Sequence, residues 1–193
     1  MYKKDNFACL SIPELSNSIS YDDMQNKFNN FVCSKNLEIE NFLHENAIEF
    51  AKKNQAISHI ILDTSSEDVI AYFTLTIKPI CFEIGKLSKT ALKRFERMAE
   101  IDFNNNTITP AAYLIAQLGK KDSSDISLVD IFYFVDKCVL DIQNFCGGVV
   151  EFLESENNEK LIDMYKDKGF KTFNIRKSKS GEDRKLVQMY RLI

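Results

Sequence analysis

The sequence has 193 residues, 45% of them apolar and 27% charged, which suits one ordinary soluble globular domain over 1–193 rather than two small ones. A formal net charge of −3 disfavours a broad nucleic-acid surface, although a local basic patch stays allowed. No apolar run approaches a membrane span, and the first six residues lack the apolar stretch of a secretory signal, so no membrane partner is expected.

Five cysteines (Cys9, Cys33, Cys81, Cys138 and Cys146) are odd in number and show no CxxC spacing. They read as reduced thiols in a reducing cytoplasm, each a small core hydrophobe. With only His44 and His59 to add, no cluster of metal ligands is visible, and no metal is expected.

Taken in order, residues 7–15 predict a first strand ended by Pro13. Tyr21, Met24, Phe28 and Phe31 have helical spacing. Ser34 or Asn36 is placed to cap a clearer helix carrying Leu37, Ile39, Phe42, Leu43, Ala47, Phe50 and Ala51. His44 lies on it and reads as structural or solvated before catalytic. Ser58–Asp63 and Val69–Ile77 form a hairpin, and Ile80–Ile84 a short edge after Pro79. Ser88 caps a helix to Glu100 with Lys89, Lys93, Arg94 and Arg97 on it, a solvated basic face or a contact for an anionic ligand. Asn104–Asn106 is a loop.

The informative stretch runs from Pro110 to Phe170. It predicts an apolar strand over 111–118, a polar turn over 119–125, an amphipathic helix over 126–145 and a break at Gly147 and Gly148. A second strand over 149–154 follows, then a short helix opening at Asn157 or Asn158 and ending before Gly169-Phe170. A strand feeding a helix N-terminus through a polar turn presents free N–H groups that suit an anionic phosphate. Two last strands form a hairpin with a basic tip over 176–185. Hairpins mixed with a strand–helix–strand crossover predict a mixed α/β (α+β) sheet.

Asn158 stands seven residues before Tyr165, and Gly169-Phe170 follows four and five residues beyond it. With the strand Ala112-Tyr113-Leu114-Ile115-Ala116-Gln117-Leu118 upstream, this pattern resembles the GNAT superfamily of acyl-CoA-dependent N-acetyltransferases, over nearly the whole chain. The early part, Cys33 and Asn36 before Glu40-Asn41-Phe42-Leu43, is similar to a bacterial subgroup that includes toxin-like acetyltransferases.

The resemblance implies a strongly twisted sheet of six to seven strands flanked by helices, with an inserted helix near 88–100. It also implies a V-shaped splay between the 111–118 and 149–154 strands. It implies acetyl-CoA as co-substrate, its arm bound at Gln117, Leu118 and Gly119 and its pyrophosphate at Lys120, Lys121, Ser123, Ser124, Asp125, Ile126 and Ser127. The usual glycines of that loop are missing here; small serines stand in their place, and Asp125 reads as a helix cap or as an unhelpful charge. Asn158 binds the pantetheine arm or caps its helix.

Tyr165 is the implied general acid to the leaving thiolate; without the resemblance it reads as a core tyrosine. For the base, Glu83, Glu154 and Glu156 are candidates, or Tyr113 or a water as relay. The implied reaction is direct transfer to a primary amine in a ternary complex. The acceptor is a small molecule, a protein or aminoacyl-tRNA, and a homodimer is allowed. In the toxin version, the basic helix and the basic tip contact RNA. The rival reading is a non-catalytic GNAT-fold binding module with a degenerate donor loop.

Overall fold

A computed structural model describes residues 1–177 and 184–193. The chain forms two compact units. Unit 1 comprises Met1–Thr76 and Ala116–Asn144, and unit 2 comprises Ile77–Ile115 and Phe145–Ile193.

Unit 1 begins with β1 (Tyr2–Lys4) and β2 (Phe7–Ser11), an antiparallel pair where a single strand over 7–15 was expected. The expected strand stops early because Ser11 and Glu14 form a capping box that starts α1 (Ile12–Leu15), and Pro13 is tolerated in a first helical turn. Next come α2 (Tyr21–Asn29), α3 (Leu37–Asn41), a π-helical turn (Phe42–Asn46) and α4 (Ala47–Lys52). The periodicity predicts one continuous helix over this last stretch. The π turn interrupts it where the His44 carbonyl turns aside to accept from Gln25 Nε2 at 2.6 Å. The His44 ring lies 2.9 Å from the Phe31 carbonyl, a structural tie.

β3 (Ile57–Asp63) and β4 (Val69–Pro79) make the expected hairpin, and β2 pairs antiparallel with β3. The unit's core gathers Met24, Phe28, Phe31, Leu43, Ile60 and Tyr72. The Tyr72 hydroxyl, buried with its ring, donates to the Ile39 carbonyl at 2.5 Å.

Unit 2 holds β5 (Phe82–Glu83), a 3₁₀ turn (Ile84–Lys86) and α5 (Lys89–Phe95). β6 (Ile101–Asp102) and β7 (Thr107–Ile108) complete a small sheet of order β5-β7-β6 that the sequence did not announce. Ser88 caps α5 as expected, accepting from Ala91 N at 3.2 Å. That helix ends at Phe95, short of the expected Glu100.

Then come β8 (Ala111–Lys120), α6 (Leu128–Cys146), β9 (Val150–Glu156), α7 (Glu159–Asp167), β10 (Lys171–Lys177) and β11 (Lys185–Leu192). The core of unit 2 centres on Phe82, whose ring lies 4.7 to 5.0 Å from those of Phe95, Phe173 and Tyr190.

The strand order is β1-β2-β3-β4-β8 in unit 1 and β8-β9-β11-β10 in unit 2, with β8 passing through both. The result is a mixed sheet flanked by helices, with eight strands instead of the expected six to seven, because β1 adds an edge. β8 and β9 are parallel, as predicted, through Tyr113–Glu151, Leu114–Phe152 and Ile115–Leu153. That register covers only three pairs of strands that are 10 and 7 residues long. Part of the expected basic tip, residues 178–183, lies outside the described residues. No helix among the described residues is long and apolar enough to cross a membrane.

Candidate active site

In unit 1, Gln117 and Leu118 are half-buried on β8, Gly119 is buried and Lys120 is exposed. Gly119 belongs to the strand and not to the polar turn. A Cβ there would lie 2.5 Å from Ile39 Cγ2 and 2.8 Å from Tyr72 Cε1, so only glycine lets β8 approach α3 this closely. Its role in the fold is packing.

The loop from Lys121 to Ser127 was expected to hold outward-facing N–H groups. Several are committed within the unit. Lys121 N donates to Ile70 O at 2.9 Å, Asp122 N to Val32 O at 2.9 Å and Ser124 N to Lys121 O at 3.0 Å. Ile126 N donates to Ser124 Oγ at 3.2 Å, and Ser127 N to Asp130 Oδ2 at 3.2 Å. Among the described residues, Ser123 and Asp125 keep N–H groups without a protein acceptor, as do Leu128 and Val129 in the first helical turn.

Ser127 caps α6, not Asp125. Its Oγ accepts from Asp130 N at 3.2 Å and donates to Asp130 Oδ2 at 2.5 Å, a Ser-x-x-Asp box that delays the helix start to Leu128. Asp130 also pairs with Lys4. The hydrogen bond from Lys4, then that from Ser127, holds its carboxyl below the ordinary range. A carboxylate therefore sits at the positive end of this helix.

The other loop charges are partly answered. Asp122 accepts from Ser34 N at 3.0 Å, and Lys121 Nζ lies 3.9 Å from Asp68. Lys121, Ser123, Ser124, Asp125 and Ile126 line a cleft of about 360 Å³ that also carries Asp63 and Asp68.

In unit 2, Asn158 caps α7, its Oδ1 accepting from Lys160 N at 3.0 Å and Leu161 N at 3.4 Å. Tyr165 is half-buried, with its ring edge-on to Phe170 at 6.2 Å. Burial first, then the charge of Glu156, pushes its hydroxyl up to about 12, so it carries its proton at neutral pH. Gly169 takes φ +86°, the left-handed turn that closes the helix and swings Phe170 into the interior.

One pair here escaped the sequence reading. Glu151 on β9 is fully buried and accepts from Arg191 Nε at 2.5 Å. Arg191 also donates to the Lys168 carbonyl at 3.1 Å and lies over the Phe170 ring at 4.8 Å. The pair fixes the end of the helix that carries Tyr165. Its partners stand 40 residues apart in sequence, and no local pattern announces it.

No known family's sequence profile matches the chain, and no curated protein sequence matches it. Solved structures do. A bacterial toxin is similar at a TM-score of 0.66 and 15% identity, over 97% of this chain and 90% of that one. AtaT complexed with acetyl-methionyl-tRNAfMet is similar at 0.63 and 18% identity, over 94% and 93%. A tyrosine-to-phenylalanine mutant of the AtaT toxin, bound to the C-terminus of the antitoxin AtaR and acetyl-CoA, gives 0.59 and 17%, over 97% and 94%. The chain has the GNAT fold.

On that GNAT fold the base candidates separate by environment. Burial pushes the Glu154 carboxyl up, but hydrogen bonds from Arg176 and Gln188 outweigh it and hold it low. Gln188 Nε2 stands 2.7 Å from Glu154 Oε1 and Arg176 Nε 2.6 Å. Such a carboxylate is a weak base. Glu156 pairs with Arg184 at 3.4 Å, and Glu83, exposed, pairs with Lys86 at 2.7 Å. Tyr113, considered as a relay, is buried and donates its hydroxyl to the Gly147 carbonyl. Gly148, at φ +126°, leaves it room: a Cβ there would fall 2.6 Å from that hydroxyl. Tyr113 is a structural latch.

The cysteines divide as well. Cys9, Cys33 and Cys138 are buried, but Cys81 and Cys146 are exposed and are not core hydrophobes. The expectation that no metal ligands cluster is also overturned, because folding brings Cys9, His59 and Cys138 together.

Proposed function

We propose that this chain transfers the acetyl group of acetyl-CoA to a primary amine, by direct attack in a ternary complex. The observation that carries the reading is Tyr165 on a capped helix closed by Gly169-Phe170, a protonated hydroxyl on a fold shared with acetyl-CoA-bound AtaT. The amine nitrogen attacks the thioester carbonyl, the carbon–sulfur bond breaks, and Tyr165 gives its proton to the departing thiolate. The nitrogen, cationic after attack, loses its proton to water, since Glu154 and Glu156 are each paired with an arginine, and water returns a proton to the Tyr165 phenolate. Proximity and orientation supply much of the acceleration.

The donor's phosphates fit the remaining N–H groups of Ser123, Asp125, Leu128 and Val129, with Lys120 and Lys121 as counter-charges. The acyl arm pairs with main-chain groups near Leu118, as a peptide adds to a strand, flanked by Gln117 and Gly119. Ser124, Ile126 and Ser127 shape the loop and give it no further N–H. Asn158 acts as a cap.

For the acceptor we favour the amine of an aminoacyl-tRNA, since AtaT is seen complexed with an acetylated member of that class, acetyl-methionyl-tRNAfMet. Lys89, Lys93 and Arg97 are exposed and suit phosphate contacts, whereas Arg176 is already bound to Glu154. The test is to incubate radiolabelled acetyl-CoA with the protein and bulk aminoacyl-tRNA, a polyamine or a lysine peptide. Label in the RNA, falling steeply with salt, supports the reading; no label in any acceptor contradicts it.

One observation favours a second reading, a binding module that has lost donor capture. Five of the loop's N–H groups are committed within the protein, and Asp130 holds the helix end. Absence of any acetyl-CoA binding would select that reading.

A further inference from the structure

Three soft or borderline ligands converge on one face of unit 1. Cys9 lies on β2 and His59 on β3, and His59 stands opposite Ser11 in the register, so Cys9, two residues from Ser11, shares its face. Cys138 comes from α6, which packs its apolar side inward here. The three ligand atoms lie within 4.8 Å of one another, and Cys138 Sγ is 3.4 Å from His59 Nδ1. Zinc–sulfur and zinc–nitrogen bonds of about 2.3 and 2.0 Å at tetrahedral angles set a sulfur–nitrogen edge of roughly 3.5 Å. The observed edge matches that requirement before any ion is added.

The surroundings favour a fixed site. Cys9 is 0% exposed and Cys138 3%, and the His59 ring stacks on Phe73 at 5.0 Å with an interplanar angle of 7°. Two buried thiolates would leave an uncompensated charge, and a divalent ion removes it. Tyr2, opposite Cys9 across β1 and β2, donates to Asp141, one turn after Cys138 on α6. A polar pair therefore borders the cluster.

We propose that Cys9, His59 and Cys138 bind a thiophilic d¹⁰ cation, Zn²⁺, which clamps α6 against β2 and β3. Binding forms two zinc–sulfur bonds and one zinc–nitrogen bond, and the thiol protons pass to solvent. A water completes the tetrahedron. The clamp lies on the helix that begins at the candidate donor loop, so the ion stiffens that helix without taking part in acetyl transfer.

The test uses the full chain, reduced, stripped with a chelator and titrated with Co²⁺. The expected result is a thiolate-to-cobalt charge-transfer band saturating at one ion per chain and erased by Zn²⁺. Saturating Zn²⁺ is also expected to raise the thermal midpoint by roughly 5–10 °C. Cys9→Ala and Cys138→Ala lose the band, while the double variant Cys81→Ser/Cys146→Ser, which alters only exposed cysteines, keeps it. Absence of the band in the reduced wild-type chain overturns the proposal, as does its loss in the double variant. These two measurements decide the matter even if the buried-cysteine variants fail to fold.

Discussion

At the start of α6, Asp130 folds back on Ser127 and places a full negative charge on the positive end of a 19-residue helix. At the start of α7, the cap is the neutral amide of Asn158. Both helices follow a strand of the mixed sheet, and each side-chain cap takes part of the first turn: Ser127 accepts from Asp130 N, and Asn158 from Lys160 N and Leu161 N. They differ in what they leave for a ligand. The α6 end keeps few free N–H groups beside a resident carboxylate and its Lys4 partner. The α7 end has a neutral cap and the exposed carboxylate of Glu159 in its first turn, and its far end is locked by Glu151 and Arg191 under Phe170. Thus the region proposed for donor capture is loosely suited to its role, and the region proposed for proton delivery is rigidly built. Rate should therefore depend sharply on α7, and donor affinity should be improvable at α6.

The largest expected effect is Tyr165→Phe. It keeps the ring against Phe170 and removes only the proton, so kcat should fall about 10²- to 10⁴-fold with little change in KM. With the hydroxyl held at about 12, Tyr165 should add no descending limb to kcat below roughly pH 10. Steady-state kinetics on an active acceptor check both statements. Unchanged turnover would remove Tyr165 from the mechanism and erase the contrast.

Next in size is Glu151→Gln, which leaves Arg191 without its buried counter-charge. A loss of about 3–5 kcal/mol in urea unfolding is expected. Gly119→Ala should cost about 1–3 kcal/mol by forcing Ile39 and Tyr72 apart, read from the same denaturation curves.

The smallest effect sharpens the comparison most. Asp130→Asn should cost about 1 kcal/mol through the weakened cap, yet tighten acetyl-CoA by removing a carboxylate from the phosphate side. Because the folded carboxyl titrates below its ordinary value, its stabilisation is present above that value and disappears as pH falls through the lower folded one. The acid limb of the thermal midpoint should flatten in the variant.

Most of the fold was legible because β8, α6, β9 and α7 carry strong apolar periodicity and are bounded by Gly147, Gly148 and Gly169. The Asn158, Tyr165 and Gly169-Phe170 spacing was legible for the same local reason. What escaped was either competition between local signals or pairing across the chain. The helix start moved to Leu128 because Ser127 and Asp130 close a box that a reading centred on Asp125 passes over. The commitment of the Lys121 and Asp122 amides depends on Ile70 and Val32, far upstream. Glu151 with Arg191, and Cys9 with His59 and Cys138, meet only through the sheet and its covering helix. No periodicity carries such information.

The most direct measurement of the central claim is calorimetric titration of the wild-type chain with acetyl-CoA. Saturable heat at one site per chain is expected, with tighter binding in Asp130→Asn. No heat from either protein at millimolar acetyl-CoA would contradict it and leave the fold as a binding module.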